Sequence, residues 1–277
     1  MQQTLRLRSK IFSLSEPKVM GIINVTPDSF FAESRAIEVD AALHTAKKMV
    51  EQGADILDVG AQSTRPGAEI LNAEQEWQRL KEPLQAIRSH FPETPISVDT
   101  FHAEVAQRAI EIGADMINDV RGGQMDDAMF SVVGEYRVPY VLMHSRGDSK
   151  NMQNLTHYDD IFSALVEFFH QQVYRLQSFG AVDIVLDPGI GFAKTHEQGF
   201  EILRRLPEIQ ELFDQPILIG VSRKSLLYKT LGVSPEDVLP ATDALHMAVI
   251  SNGARILRVH DVLAAKQVIH VYSMLAR

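Results

Sequence analysis

Short apolar runs, hydrophobic at consecutive positions and not at alternate ones, recur along this chain. Each follows a helical stretch that stops on a glycine. "EQGADILDVG" (51–60), "EIGADMINDV" (111–120), "SFGAVDIVLDPG" (178–189) and "SNGARILRVH" (251–260) share this plan. Gly53, Gly113, Gly180 and Gly253 fall where a left-handed helix end is wanted, a conformation glycine adopts without steric cost. The runs "VMGIIN" (19–24), "PISVD" (95–99), "VPYVLM" (138–143) and "PILIGVS" (216–222) bring the strands to eight. Amphipathic patterns predict helices near 38–52, 73–90, 102–112, 125–136, 158–179, 196–213, 235–252 and 261–275. Strands apolar on both faces and alternating with helices predict a parallel sheet, and eight such units predict an α/β fold closed as a (β/α)8 barrel. A doubly wound open sheet is the alternative. No linker or composition shift divides 1–277, so one domain is expected, with residues 1–18 as a cap over the bottom of the barrel.

The apolar runs end on polar residues. Asn24, Asp58, Asp99, Asn118 with Asp119, His144, Asp187, Ser222 to Lys224, and Arg258 with His260 all fall at C-terminal strand ends. In a (β/α)8 barrel these ends build one shared mouth. Asp58 and Asp119 read as turn formers or helix caps, the commonest role of a single Asp after a strand. Asp99, Asn118 and Asp187 together read as a recognition set, because buried carboxylates and amides are expensive without a partner. Carboxylates only accept hydrogen bonds, so they suit a ligand edge with adjacent N–H groups, such as a guanidine-like or pterin ring. Period-two alternation places Ser222 with Lys224, and Arg258 with His260, on common faces. Lys224, Arg258 and His260 follow strands seven and eight, where such barrels commonly hold phosphate.

Composition narrows the chemistry. With 277 residues, 45% of them hydrophobic, the chain can bury one large core. Zero cysteines exclude disulfides, thiolate catalysis and Cys-based metal sites, leaving Asp, Glu, Asn and His as possible ligands and a hard ion such as Mg²⁺ as the expected metal. A net charge of −9 argues against general nucleic-acid binding, while a local basic corner still suits an anionic substrate. No apolar stretch is long enough for a membrane span, and the first residues lack a signal-peptide pattern, so a cytoplasmic enzyme is expected. "DPGIGFAKT" (187–195) departs from both phosphate-loop and dinucleotide fingerprints and reads as a flexible rim around Phe192. "RGD" (146–148) reads as a chance tripeptide, and His44, His90, His157 and His246 as chemically idle.

Taken in order, "GIINVTPDSF", "DVGAQSTRPGA", "SVDT", "INDV", "LMH", "LDPGIGFAKT", "GVSRKS" and "RVHDV" resemble the dihydropteroate synthase family over essentially the whole chain. The resemblance implies a (β/α)8 barrel, usually a homodimer, that joins 6-hydroxymethyl-7,8-dihydropterin diphosphate to 4-aminobenzoate in folate biosynthesis. Pyrophosphate is released, Mg²⁺ is the implied cofactor, and sulfonamides compete for the aminobenzoate site. It implies Asp99, Asn118, Asp187 and Lys224 around the pterin ring, with Met143 on its face. Thr64, Arg258 and His260 match the diphosphate pocket, and Asn24 matches the metal-bridging residue. Phe30, Arg65, Pro66, Phe192 and Ser222 match the aminobenzoate pocket, partly on two loops, Thr26 to Ala36 and Gln62 to Gly67. Asp99, Lys224, Arg258 and His260 are the implied catalytic set.

Two positions depart from the family pattern. Ala32 stands where a loop aspartate is frequent, and Gln62 replaces the usual Glu before Ser-Thr-Arg-Pro. Glu33 and Asp28 are the alternative sources of the missing charge. A pterin-binding methyltransferase would use the same acidic readout without needing the cations, and a non-catalytic pterin-binding paralogue would bind without releasing pyrophosphate.

Overall fold

A computed structural model describes residues 4–8, 10–25, 32–62, 70–147 and 151–276, with 32–36 through the backbone alone. Strands β1 (Thr4–Leu7) and β2 (Lys10–Ser13) form an antiparallel hairpin. Then come β3 (Lys18–Asn24), α1 (Ala32–Glu51), β4 (Ile56–Gly60), α2 (Ala73–His90), β5 (Ile96–Asp99) and α3 (Ala103–Glu111). They are followed by β6 (Met116–Asp119), α4 (Met129–Tyr136), β7 (Tyr140–Met143), α5 (Ile161–Ser178) and β8 (Ile184–Asp187). The chain continues through α6 (His196–Arg204), α7 (Leu206–Leu212), β9 (Leu218–Ile219), α8 (Ser225–Leu231), α9 (Leu239–Ser251), β10 (Ile256–Val259) and α10 (Val262–Leu275).

Eight parallel strands lie in the order β8-β7-β6-β5-β4-β3-β10-β9. A bridge between Leu186 of β8 and Ile217, immediately before β9, joins the two ends of the sheet, so it closes as the (β/α)8 barrel expected from the alternation. The repeated glycines are where that pattern needs them: Gly53, Gly113, Gly180 and Gly253 have φ of 91°, 107°, 95° and 101° just past the ends of α1, α3, α5 and α9.

Two expected elements differ, and one helix was not expected. The helix expected over 196–213 divides at Arg205, because Pro207 in the first turn of α7 has no N–H to carry the hydrogen-bond ladder across the break. The strand expected over 216–222 shrinks to Leu218–Ile219, and a further helix, α8, follows it. Arg223 lies between them at φ 54°, a left-handed turn that ends extended pairing. The alternation argument for Ser222 and Lys224 therefore fails, since neither lies in a strand.

Alternation does hold inside the barrel. Residues such as Leu57, Ile117, Leu186 and Leu257 point outward and pack in the main core with the helices. Met20, Ile56, Met116, Val141, Val185, Leu218 and Ile256 point inward and pack with Leu5, Leu7 and Leu14. Leucines of the N-terminal segment therefore pack onto the inward apolar layer at the bottom of the barrel. Full burial of each such side chain is worth about 1.5–3 kcal/mol.

Candidate functional site

Two residues beyond most members of the apolar layer the same inward face turns polar or opens, while Ile22 and Met143 keep it apolar on β3 and β7. Asp58 follows Ile56, Asn118 follows Met116, Met143 follows Val141, Asp187 follows Val185, Gly220 follows Leu218 and Arg258 follows Ile256. On β5, Asp99 has the equivalent place after Ser97, and register pairs it with Gly60 and Asn118. A Cβ on Gly60 would come within 3.0 Å of the Asp99 Cβ, so glycine there leaves room beside this carboxyl.

Arg258 organises the layer. Its Nε donates to Asp58 Oδ2 at 2.6 Å and its Nη2 to Asp99 Oδ2 at 2.6 Å, while Asn118 Nδ2 donates to Asp58 Oδ2 at 3.1 Å. Burial opposes the charge on Arg258, but Asp58 and Asp99 outweigh it and raise its pKa. Burial dominates at Asp99, and despite Arg258 its carboxyl is pushed up to about 7, with Asp58, Glu76 and Asp119 adding repulsion. Asp187 is also raised by burial, with Lys224 as the main opposing charge, and its Oδ1 accepts from the Gly189 N–H at 2.7 Å. The structure thus brings Asp99, Asn118, Asp187 and Arg258 to one mouth.

Asp58 is a correction. It neither caps a helix nor forms a turn; it is fully buried within β4, where it shares Arg258 with Asp99. The bland reading holds for Asp119, which accepts from the Arg121 and Gly123 backbone and from the Tyr140 hydroxyl at 2.6 Å. His144 is held well below the imidazole range by burial, then by Lys194 and Arg146, and its ring stands edge-on to Phe168 at 5.0 Å.

Arg258 lies within β10 and His260 one residue past its end, near enough for the Arg258 charge to act on the imidazole. His260 lies past the end of β10, its Nδ1 3.3 Å from Ser222 Oγ, with its backbone N–H donating to the same oxygen at 3.2 Å. Its pKa is lowered by its desolvated setting and by the Arg258 charge. Lys224 precedes α8, donates to Ile190 O at 2.6 Å and stands 4.9 Å over the Phe192 ring. Burial lowers it to about 8 against the pull of Asp187.

Beside this polar floor is an apolar wall. Met143 packs with Phe101 and Val120, and Ile70 and Phe192 close against them. Met143 and Phe192 were expected; Phe101, Val120 and Ile70 were not, because each looks like an ordinary core residue in sequence. Asn24 ends β3 on the inward alternation after Met20 and Ile22 and is exposed. Thr64, Arg65, Pro66, Phe30 and Asp28 lie outside the described residues, as do the side chains of Ala32 and Glu33.

Lys194 was missed altogether. It is only 4% exposed, and its Nζ donates to three carbonyl oxygens: His144 at 3.0 Å, Gly189 at 3.1 Å and Phe192 at 3.1 Å. Burial lowers it to about 7, Asp187 pulls upward, and Lys224 and Arg146 push down again. The loop after β8 is therefore packed and pinned, in contrast to the flexible rim expected from its glycines.

Gln62 has a local account. Its Oε1 accepts from the Leu71 N–H at 3.1 Å, and its Nε2 donates to Leu71 O and to Glu76 Oε2, both at 3.0 Å. Glu76 is fully buried and its pKa is raised chiefly by burial, so an amide donor at position 62 matches it.

A mouth with buried acceptors, two flanking cations and an apolar wall fits a flat heteroaromatic ring with adjacent N–H donors and an anionic tail. Residues 20–260 match the family model described as pterin binding enzyme. The dihydropteroate synthase of Synechocystis sp. is 44% identical over 262 residues, covering 94% of this chain and 90% of its own length. The chain belongs to the dihydropteroate synthase family. Among solved dihydropteroate synthases, that of Xanthomonas albilineans with 4-aminobenzoic acid has a TM-score of 0.90 at 34% identity, covering 100% of this chain and 99% of its own. That of Yersinia pestis in a sulfonamide complex has a TM-score of 0.91 at 34% identity, covering 99% of each chain.

Proposed function

We propose that this chain condenses 6-hydroxymethyl-7,8-dihydropterin diphosphate with 4-aminobenzoate, releasing pyrophosphate and 7,8-dihydropteroate. The observation that carries the reading is the buried layer of Asp58, Asp99, Asn118 and Arg258, with Asp187 and Lys224 beside it, facing an apolar wall.

Asp99 and Asp187 accept hydrogen bonds from the N–H edge of the pterin, and Asn118 serves a mixed edge. Both carboxyls are raised by burial, and ring N–H donors would offset that cost. Met143 lies against the ring face. The C–O bond from the exocyclic methylene to the diphosphate breaks first, its electron pair leaving with the diphosphate. The electron-rich ring bears the resulting positive charge, and Asp99 stabilises it as an anion. The aryl amine nitrogen then bonds to the methylene carbon and loses one proton. No strong base is needed, because positioning against Phe192 and Ser222 supplies most of the advantage.

Lys224, Arg258 and His260 serve the anionic half. The Arg258 bonds to Asp58 and Asp99 use two of its five N–H groups, so one guanidinium can link the carboxylate floor to the diphosphate. Thr64 belongs to the same pocket and Arg65, Pro66 and Phe30 to the aryl pocket in this reading.

Asn24 offers a neutral oxygen at the mouth. A single hard ligand of this kind suits Mg²⁺, which keeps several waters and is commonly bound through substrate phosphates. Among the described residues no group of three or more His, Asp or Glu side chains is placed to hold a metal, so the donors fit an ion that arrives with the diphosphate. When bound, Mg²⁺ supplies charge neutralisation of the leaving group.

The reading includes a homodimer, for which α10 offers an apolar face: Leu263, Val271, Met274 and Leu275 are all at least half exposed. It also places the protein in the cytoplasm, in keeping with the absence of cysteine. No helix among the described residues is long and apolar enough to cross a membrane. The test is pyrophosphate release on mixing the protein with both substrates and Mg²⁺. Release that needs both substrates supports the synthase; pterin binding without release would leave only a binding protein.

A further inference from the structure

Lys194 lies outside every role assigned above, yet its surroundings are built around it. An ammonium has three N–H donors, and Lys194 meets three carbonyl oxygens at 3.0 to 3.1 Å. One belongs to His144, in the turn after β7; the other two, of Gly189 and Phe192, belong to the loop after β8. A second observation shows how closely the two segments approach: a Cβ on Gly189 would stand 2.1 Å from the His144 carbonyl oxygen that Lys194 binds. A third is the backbone just before the lysine. Ala193 has φ 49°, a left-handed conformation unfavourable for alanine, which persists only where its surroundings enforce it. Burying an isolated ammonium is expensive, and three charge-assisted hydrogen bonds offset that cost.

We infer that Lys194 is a positioning residue for the aryl-amine half of the site: it ties the turn after β7 to the loop after β8 and thereby fixes Phe192. Asp187 and Met143 sit at strand ends held by the barrel ladder, whereas Phe192 stands five residues past β8. Its own backbone links back are its N–H bond to Gly189 O at 3.1 Å and the carbonyl bond from Lys194. Removing the lysine should disturb the aryl pocket more than the pterin floor. This inference rests on the synthase reading for its kinetic consequence, but not for the tie itself.

Two measurements separate these parts. The variants are Lys194→Met, which keeps length but removes the donors, and Lys194→Gln, which keeps N–H donors without charge. Amide exchange on the free protein should rise about tenfold or more in both 144–147 and 188–193 of Lys194→Met, with Ile96–Asp99 unchanged. A rise confined to 188–193, or no rise, would show that Lys194 ties nothing across the mouth. In pyrophosphate release, KM for 4-aminobenzoate should rise about tenfold, with KM for the pterin diphosphate within about threefold and Lys194→Gln intermediate. Equal changes in both KM values, or lower stability with both unchanged, would reduce Lys194 to a structural lysine. If Lys194→Met does not fold, Lys194→Gln carries both measurements. If the unaltered protein releases no pyrophosphate, the synthase reading falls while amide exchange still decides the tie.

Discussion

The barrel has two interior layers, built by the same strands two residues apart. Ile56, Met116, Val185 and Ile256 form the lower one with the leucines of the N-terminal segment; Asp58, Asn118, Asp187 and Arg258 form the upper one. The lower layer is satisfied by contact alone. The upper layer is held by a few directed bonds that leave Asp58 Oδ1 without a hydrogen-bond partner, and burial leaves Asp99 and Asp187 with raised pKa values. One half of the lumen holds the fold closed; the other bears an electrostatic cost that a ligand can relieve.

The sharpest way to test this division is to remove the cation from the upper layer. Arg258→Met should lower unfolding free energy by about 3–5 kcal/mol in urea titration, because Asp58 and Asp99 lose their shared partner. It should also weaken the diphosphate-bearing pterin more than the pterin alone. A loss below about 1 kcal/mol would mean that the carboxyls are satisfied some other way.

In the lower layer, Ile256→Ala on the same strand should cost about 2–5 kcal/mol of stability through the cavity it leaves. Pterin affinity per folded molecule, measured by calorimetry, should stay unchanged. Altered affinity would erase the distinction between the layers.

Asp187→Asn reverses that pattern. It puts a donor where the ligand presents donors, so pterin binding should weaken by about 1–3 kcal/mol while stability holds or rises. Unchanged affinity in calorimetry would remove Asp187 from the site.

The smallest effect is on pH dependence. The folded protein holds the Asp99 proton up to about 7, against 3.8 for an unperturbed aspartate. Between those values the folded state binds more protons than the unfolded one, so this group's contribution to stability falls as pH rises through that window. Asp99→Asn should flatten the decline in urea titrations from pH 4.5 to 7.5. An identical slope in the variant would assign the titration to another group.

The sequence made the lower layer legible, because Gly-capped helices and doubly apolar strands repeat regularly. It also marked Asp99, Asn118 and Asp187, since each ends an apolar run. It misread Asp58, whose position in sequence resembles a cap and whose Arg258 partner is 200 residues away. Period two failed at Ser222 and Lys224 because Arg223 turns left-handed, which the side-chain pattern does not reveal. Lys194 was illegible for a different reason: a lysine in a glycine-rich loop is ordinarily solvated, and only the approach of the turn after β7 supplies its third carbonyl. The Gln62 departure became intelligible once Leu71 and Glu76 stood opposite its two amide atoms.

The closure of the barrel has a mechanical side. Strands β3 and β4 are joined along five residue pairs, but across the seam between β8 and β9 the described residues show one bridge, from Leu186 to Ile217 just before β9. With so little pairing at the seam, a barrel of this kind is a split ring, expected to part there first under load. Lys224, just past β9, reaches across to the Ile190 carbonyl and the Phe192 ring beyond β8, and so acts as a clasp above the split. A ligand that engages Lys224 and Asp187 together would grip both sides of the ring, making the occupied protein mechanically stiffer than the empty one.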